Sequence, residues 1–161
     1  MNDIKFFAFL IPLFLTSCSI NKLEEKNERK SNIEYLYPIM NRYFEKFDFK
    51  TIDDYKYSTV YNAFYAVQVD ISKMNYNNIK DLNDKLLEDG WNVVKTDQSL
   101  SQYCYGRNLF MEVIAPIEIA GNISGEIAMP LDHEWNLALS WRHKGKDKCS
   151  QLPVKDLKAL N

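Results

Sequence analysis

The sequence predicts an α+β domain in which helices cover one face of an antiparallel sheet. Apolar residues recur at helical spacing between positions 39 and 47. They alternate with period two in 59–71, and short strand-like segments separated by turn residues fill 91–115. Strands joined by short turns pair antiparallel. We therefore expect a small two-layer domain, with a sheet of about four to six strands and one or two helices packed on one face.

An amphipathic helix is the first predicted element of this domain. Ser31 and Glu34 have the spacing of a capping box at its start. The residues that would face the core are Ile39, Met40, Tyr43, Phe44 and Phe47. An aromatic stripe of this kind can also line a cofactor site, but core packing explains it far more often, so we expect no cofactor.

The clearest predicted strand runs from Thr59 to Ile71. Its alternating apolar residues would share one face of the sheet, and they are Tyr61, Ala63, Tyr65, Val67, Val69 and Ile71. A helix follows, which starts in the polar run 75–78 and ends at Gly90 in a left-handed cap. Its predicted apolar face carries Ile79, Leu82, Leu86 and Leu87.

Short strands are predicted in the second half of the chain, over 91–96, around 102–105 and over 109–115. The segment 116–130 contains glycines and prolines and fits either a long loop or a ragged hairpin.

Tryptophans and leucines then alternate with polar residues in 135–141, which predicts the last strand. A basic turn from Lys144 to Lys148 and a short terminal helix after Pro153 complete the predicted order.

The first seventeen residues differ in composition from the rest of the 161-residue chain, because eleven of them are apolar. As a helix, Phe6 to Leu15 would reach only ~15 Å, against a hydrocarbon core of ~30 Å. This length suits the apolar core of a secretory signal, and Thr16 and Ser17 supply small residues next to a cleavage site.

The tetrapeptide Leu15-Thr16-Ser17-Cys18 resembles the lipobox of bacterial lipoproteins. The resemblance implies diacylglycerol on the Cys18 sulfur, cleavage before Cys18 and acylation of the new amino terminus, with palmitate as an expected acyl chain. Lipoproteins kept in the inner membrane usually carry Asp after the cysteine. Ser19 stands there instead, which favours the outer membrane. We expect the domain to face the periplasm, and a surface-facing orientation stays open. Two alternatives stay open, namely an ordinary secretory signal with a chance cysteine and a buried N-terminal strand.

Three regions follow from this interpretation. Residues 1–17 are predicted to be a signal peptide, 18–32 the lipidated cysteine and a polar tether, and 33–161 a single α+β envelope domain. The tether is strongly charged, and twelve flexible residues would reach roughly 20 Å. The domain is therefore expected to lie just off the membrane surface.

Two cysteines remain after Cys18, namely Cys104 and Cys149. In an oxidising compartment such a pair is expected to form a disulfide, which would stabilise the fold by ~4 kcal/mol in the chain-entropy model. A redox or nucleophilic thiol is the alternative, but the chain has no Cys-x-x-Cys motif.

Histidines and carboxylates near the last strand could ligate zinc, namely Asp132-His133-Glu134 with His143 beyond. Their spacing matches no zinc motif, and adjacent strand residues point to opposite faces. We therefore expect no metal and interpret the segment as a turn entering a strand.

Catalytic motifs are similarly weak in this sequence. Ser124 is the nearest approach to a nucleophile elbow, but Asn122 and Glu126 stand where that motif needs glycines. The carboxylate pair Asp53-Asp54 fits a solvated turn better than an acid–base pair. The sequence thus offers no catalytic candidate.

Tyrosine is abundant, with ten residues in the chain. Tyr55 and Tyr57 lie close together in sequence and are the predicted partner-binding residues, because tyrosine buries apolar area while keeping a polar tip. The formal net charge of −2 and the lack of a basic stripe make nucleic acid a poor candidate partner.

These observations predict a lipid-anchored envelope protein that binds a protein partner without catalysis, toxin immunity being one specific form of that role. The alternatives are a structural or assembly accessory of an envelope complex and, as the least favoured, an enzyme.

Overall fold

The computed structural model describes residues 34–121, 127, 129 and 132–160. The strands in this part of the chain are β1 (Lys50–Ser58), β2 (Asn62–Val69), β3 (Asn92–Thr96), β4 (Leu100–Tyr105), β5 (Leu109–Ile114) and β6 (Trp135–Arg142). They form one six-stranded sheet in the order β1-β2-β6-β5-β4-β3, with every neighbouring pair antiparallel. The predicted antiparallel α+β architecture is confirmed.

Helix α1 covers 34–44, α2 is Tyr76–Glu88 and α3 is the short Ile117–Ala120. Three 3-10 turns accompany them, at Glu45–Phe47, Asp147–Cys149 and Leu157–Leu160. The last of these occupies the predicted terminal helix.

The polar start predicted for α2 is confirmed in atomic detail. The Asn75 side chain accepts hydrogen bonds from the backbone N–H groups of Asn77 and Asn78, and the Asn78 side chain accepts one from Asn75 N–H. These bonds satisfy donors that have no partner within the helix. After the helix ends, Gly90 has φ +83°, the left-handed conformation that the sequence predicts.

Helices α1 and α2 pack on one face of the sheet, where the largest buried side chains meet. The predicted apolar stripe packs in this core, since its residues are all buried, namely Ile39, Met40, Tyr43, Phe44 and Phe47. Two tryptophan N–H groups in the core have partners: Trp135 Nε1 donates to the Met74 carbonyl at 2.9 Å, and Trp91 Nε1 donates to the Tyr43 hydroxyl at 3.1 Å. This face is therefore a closed core.

The opposite face of the sheet, here called the far face, is also largely covered. One apolar cluster on it contains Phe64, Ala66, Leu100, Ile114, Met129 and Ala138. A second joins Phe110 to the Cys104–Cys149 disulfide, in which the two Cα atoms lie 5.8 Å apart. The predicted disulfide is confirmed, and it fastens the 3-10 turn at Asp147–Cys149 to β4.

Strand β1 is absent from the predicted order, and its presence corrects the interpretation of Asp53-Asp54 as a turn. These residues lie in the strand, where the pairing with β2 shifts between Thr51 and Lys56. An edge strand that is exposed along most of its length has no alternation of apolar and polar residues to reveal it.

Three residues predicted to be buried are exposed. Tyr61 and Ile71 lie in turns on either side of β2, which is shorter than the predicted 59–71, and their side chains are 62% and 42% exposed. Leu87 is 48% exposed near the end of α2. A period-two pattern does not mark where strand pairing stops, and this explains the first two errors.

Candidate partner-binding surface

Three turns meet at one end of the sheet, which we call the turn end. They are the β1–β2 turn, the β4–β5 turn and the turn that follows β6. Backbone hydrogen bonds join them: His143 N–H donates to the Tyr61 carbonyl at 2.8 Å, and Arg142 N–H donates to the Asn108 carbonyl at 2.9 Å. The three turns thus form one connected surface.

The β1–β2 turn is fixed by a single threonine. Thr59 Oγ1 accepts hydrogen bonds from the backbone N–H groups of Asn62 at 2.9 Å and Tyr61 at 3.3 Å. Thr59 N–H also donates to the Asn62 carbonyl. A serine or threonine turn of this kind restricts the backbone, so Tyr61 projects from a defined position.

The turn after β6 is held by Asn108, which is buried. Its Nδ2 donates to the carbonyls of Arg142 at 2.8 Å and His143 at 2.9 Å. Gly145 completes the turn at φ +87°, and a Cβ atom there would lie 2.9 Å from the Arg107 carbonyl oxygen. Only glycine fits this position without displacing backbone.

Exposed aromatic rings lie on the turn end. Tyr61 is 62% exposed and meets the His143 ring edge-on, with centroids 6.3 Å apart. His143 in turn meets Trp141 at 6.2 Å. The three rings support one another, so Tyr61 presents an ordered apolar surface to solvent.

A row of side chains crosses the far face next to the turn end, and we call it the transverse row. Phe110 lies opposite Ser140 on the neighbouring strand. Ser140 lies opposite Phe64, and Phe64 lies opposite Tyr57. The Tyr57 ring stacks on Phe64 with centroids 5.7 Å apart and an interplanar angle of 13°. Tyr57 is 51% exposed, so the row ends in an accessible ring.

The structure brings the predicted binding residues Tyr55 and Tyr57 together around Phe64. Tyr55 is half-buried, and its ring centroid lies 6.4 Å from that of Phe64. Tyr55 therefore packs against Phe64 as a half-buried ring, whereas Tyr57 offers the accessible area of this cluster. Tyr61, which the sequence assigns to the core, belongs to the candidate surface instead.

Five cationic side chains surround the turn end, namely Arg107, Arg142, Lys144, Lys146 and Lys148. Two of them are anchored on an aromatic ring: the Nζ atoms of Lys146 and Lys148 lie 5.2 Å and 5.9 Å from the Phe110 centroid. Lys148 Nζ also donates to Gln102 Oε1 at 3.1 Å. The basic turn predicted from the sequence is therefore joined to the transverse row.

Sequence reasoning missed a buried polar pair beneath this surface. Gln102 Nε2 donates to Glu112 Oε1 at 2.5 Å, and both residues are buried on the far face. In the sequence, the one signal of this pair is that each of the two strands carries a polar residue at a position that faces the same side of the sheet as the residues two places before and after it. The pair supports Lys148 through Gln102, and both of its residues are 2% exposed.

The two candidate zinc histidines do not lie together. His133 precedes β6 and pairs through Nδ1 with Glu118 Oε1, whereas His143 follows β6 at the turn end. Eight strand residues separate the two positions, a span of about 26 Å. Within the described residues, no group of three or more histidine, cysteine, aspartate or glutamate side chains is arranged to hold a metal ion.

The His133–Glu118 pair has the pKa shifts of an ordinary exposed ion pair. The hydrogen bond from His133 lowers the pKa of Glu118, and the same contact raises the pKa of His133.

Cys18 and Ser124, the predicted lipidation site and the weak nucleophile candidate, lie outside the described residues.

Comparison of the chain with known protein families, with curated proteins and with solved structures finds no match. In the described part of the chain, every helix is too short or too polar to cross a lipid bilayer.

Proposed function

We propose that this chain is a lipid-anchored cell-envelope protein whose domain binds a protein partner and catalyses no reaction. The proposed binding surface lies at the turn end, with Tyr57 on the far face and Tyr61 in the β1–β2 turn. The observation that carries the proposal is the exposure of two large aromatic rings, 51% and 62%, on turns and strands that are fixed by hydrogen bonds.

Ordered tyrosines are suited to binding because little entropy is lost when they contact a partner. Tyr57 is already stacked on Phe64, and Tyr61 already contacts His143. Immobilising a free side chain on association costs ~0.5–1.5 kcal/mol, and preorganisation removes much of this cost. Tyrosine is also among the residues that contribute most to binding energy in protein interfaces.

The lipobox-like sequence around Cys18 supports the anchored location, and Ser19 supports the outer membrane. In this proposal the domain faces the periplasm. Several acyl chains hold a protein at a membrane far more firmly than one. Toxin immunity is a specific form of this proposal, in which the partner is an incoming toxin.

Photo-crosslinking in intact cells tests the binding role. A photoreactive aromatic residue replaces Tyr57 or Tyr61 in the full chain, and a third strain carries it at Lys80, an exposed position of α2. We expect one discrete protein adduct from positions 57 and 61 and none from position 80. Absence of adducts at 57 and 61, or equal adducts at all three positions, would refute the proposed surface.

The anchor is tested separately by mass spectrometry of the mature amino terminus. We expect a peptide that begins at Cys18 and carries a diacylglycerol and an amide-linked acyl chain. An unmodified Cys18 would contradict the lipid anchor without affecting the binding role.

A further inference from the structure

The turn end carries a strong excess of positive charge in an acidic chain. From Arg142 to Lys148 there are four cationic side chains and one carboxylate, a net charge of +3, whereas the whole chain has a formal net charge of −2. Arg107 places a further cation at the turn end. Its backbone carbonyl accepts a hydrogen bond from Lys146 N–H, and its side chain packs beside Gly145. Positive charge is thus concentrated at one place in the fold.

Three of these cations form no ion pair with the described part of the chain, namely Arg107, Arg142 and Lys144. All three side chains are exposed. Like charges held close together repel one another, and a partner of opposite charge relieves this repulsion. The arrangement therefore favours an anionic partner over a neutral one.

The cations border the same surface as the exposed tyrosine of β1. Arg142 lies opposite Asn62 and, by the strand alternation, on the far face with Ser140. The transverse row connects Ser140 to Tyr57 on one side and to Phe110, with its two lysines, on the other. An aromatic ring and a set of cations thus flank one strip of the far face.

We propose that the partner presents an acidic segment to this strip, with carboxylates contacting Arg142 and Lys144 and apolar atoms contacting Tyr57. This inference rests on the proposed binding function and specifies the chemistry of the partner. A protein is favoured over an anionic membrane surface because the cations stand on rigid turns beside an ordered tyrosine. The backbone at Arg142 is held by its hydrogen bond to Asn108, and a guanidinium group recognises an individual carboxylate in a two-bond geometry.

Charge reversal in the crosslinking strain tests this chemistry. With the photoreactive residue at position 57 of the full chain, the double variant R142E/K144E is compared with Lys80→Glu, which reverses a single exposed cation of α2 away from the turn end. We expect the adduct yield to fall at least about tenfold in the double variant and to stay unchanged in the control. The yield of the parent strain should also fall with rising ionic strength.

Identification of the crosslinked peptide completes the test. We expect a segment rich in Asp and Glu, and substitution of those residues by Lys should restore the adduct of the R142E/K144E variant. A protein adduct that survives charge reversal, or that maps to a neutral or basic segment, would overturn the acidic-partner inference while leaving the binding function intact. An adduct with phospholipid mass would overturn it in favour of a membrane surface, and no adduct at all would reject the binding function itself.

Discussion

The two ends of the sheet use charge in opposite ways. At the end opposite the turn end, cations are paired with nearby carboxylates: Lys73 with Asp48 at 2.6 Å, Lys95 with Asp97 at 3.0 Å, Lys50 with Glu134 at 3.8 Å, and His133 with Glu118. We call this the ion-pair end. At the turn end, Arg107, Arg142 and Lys144 have no such partners among the described residues. Where cations are already paired with carboxylates of the same protein, a partner adds little electrostatic stabilisation. Where charge of one sign is in excess, an oppositely charged partner lowers the electrostatic energy on binding.

The turn end is also the more heavily constrained of the two. It combines the disulfide, the buried Asn108 and a glycine in contact with neighbouring backbone. Exposed ion pairs contribute little to stability, because solvent screens them and long side chains lose freedom when they pair. Perturbations of equal chemical size should therefore have larger effects at the turn end.

Removal of the disulfide should have the largest effect. The double variant C104S/C149S loses a crosslink between residues 45 positions apart in sequence, which should lower the free energy of unfolding by ~4 kcal/mol. Denaturant unfolding of the full chain measures this loss. Hydrogen exchange in the variant should increase in 143–152 more than in 48–52. Equal increases in the two segments would show that the disulfide does not hold the turn end specifically.

Alanine substitution at two glycines compares the ends directly. Gly145 and Gly121 both have positive φ, but a Cβ atom at Gly145 would lie 2.9 Å from the Arg107 carbonyl oxygen, whereas, among the described residues beyond its chain neighbours, no atom lies within 4 Å of one at Gly121. Backbone strain of ~1–3 kcal/mol applies to both, and Gly145→Ala should cost about 1 kcal/mol more because backbone must move. Urea unfolding of the two variants gives the difference. A smaller loss for Gly145→Ala than for Gly121→Ala would contradict the proposed tightness of the turn.

The smallest expected effect concerns pH at the ion-pair end. Because Glu118 raises the pKa of His133 above 6.5, the pair stabilises the folded state fully below that pH and loses this contribution as the pH rises through the raised pKa. The lowered pKa of Glu118 means that the contribution is also lost as the pH falls below about 4.5. The pair should therefore stabilise the fold most between these two values.

Titration of the His133 ring by nuclear magnetic resonance tests this pairing. Glu118→Gln should lower the pKa of His133 toward 6.5, whereas Glu134→Gln, which removes a nearby carboxylate without a hydrogen bond to His133, should leave it unchanged. The same shift in both variants would exclude a specific His133–Glu118 pair.

Sequence patterns predicted the elements that have one buried face and defined ends. The α1 stripe from Ile39 to Phe47, the polar start of α2 within 75–78 and the left-handed Gly90 are all confirmed. Each depends on local spacing or on the conformational preference of a single residue. Strand β1 and the exposure of Tyr61 were not predictable in this way, because an edge strand and a turn tip are defined by where pairing ends.

The candidate surface was predicted only in part. Tyr55 and Tyr57 were identified from their proximity in sequence, and the structure adds Phe64 as the ring on which both pack. Lys144 to Lys148 were predicted as a basic turn, with no indication that the turn reaches Phe110 on the far face. The order of the strands, in which β6 lies between β2 and β5, brings these groups together although they are distant in sequence.

By itself, the sequence determined the fold class, the ends of α2 and the pair of cysteines in the domain, since periodicity, capping and cysteine number are local properties, whereas the short helix α3 lies where a loop or ragged hairpin was expected. Tertiary structure decided which other residues meet, such as Tyr57 with Phe64 and Arg107 with the turn after β6. The physical reason is that strand order and register bring together residues that are distant in the chain, and they depend on how every strand is buried at once. Whether a cation lies beside a carboxylate or beside an exposed tyrosine is likewise a property of the folded arrangement.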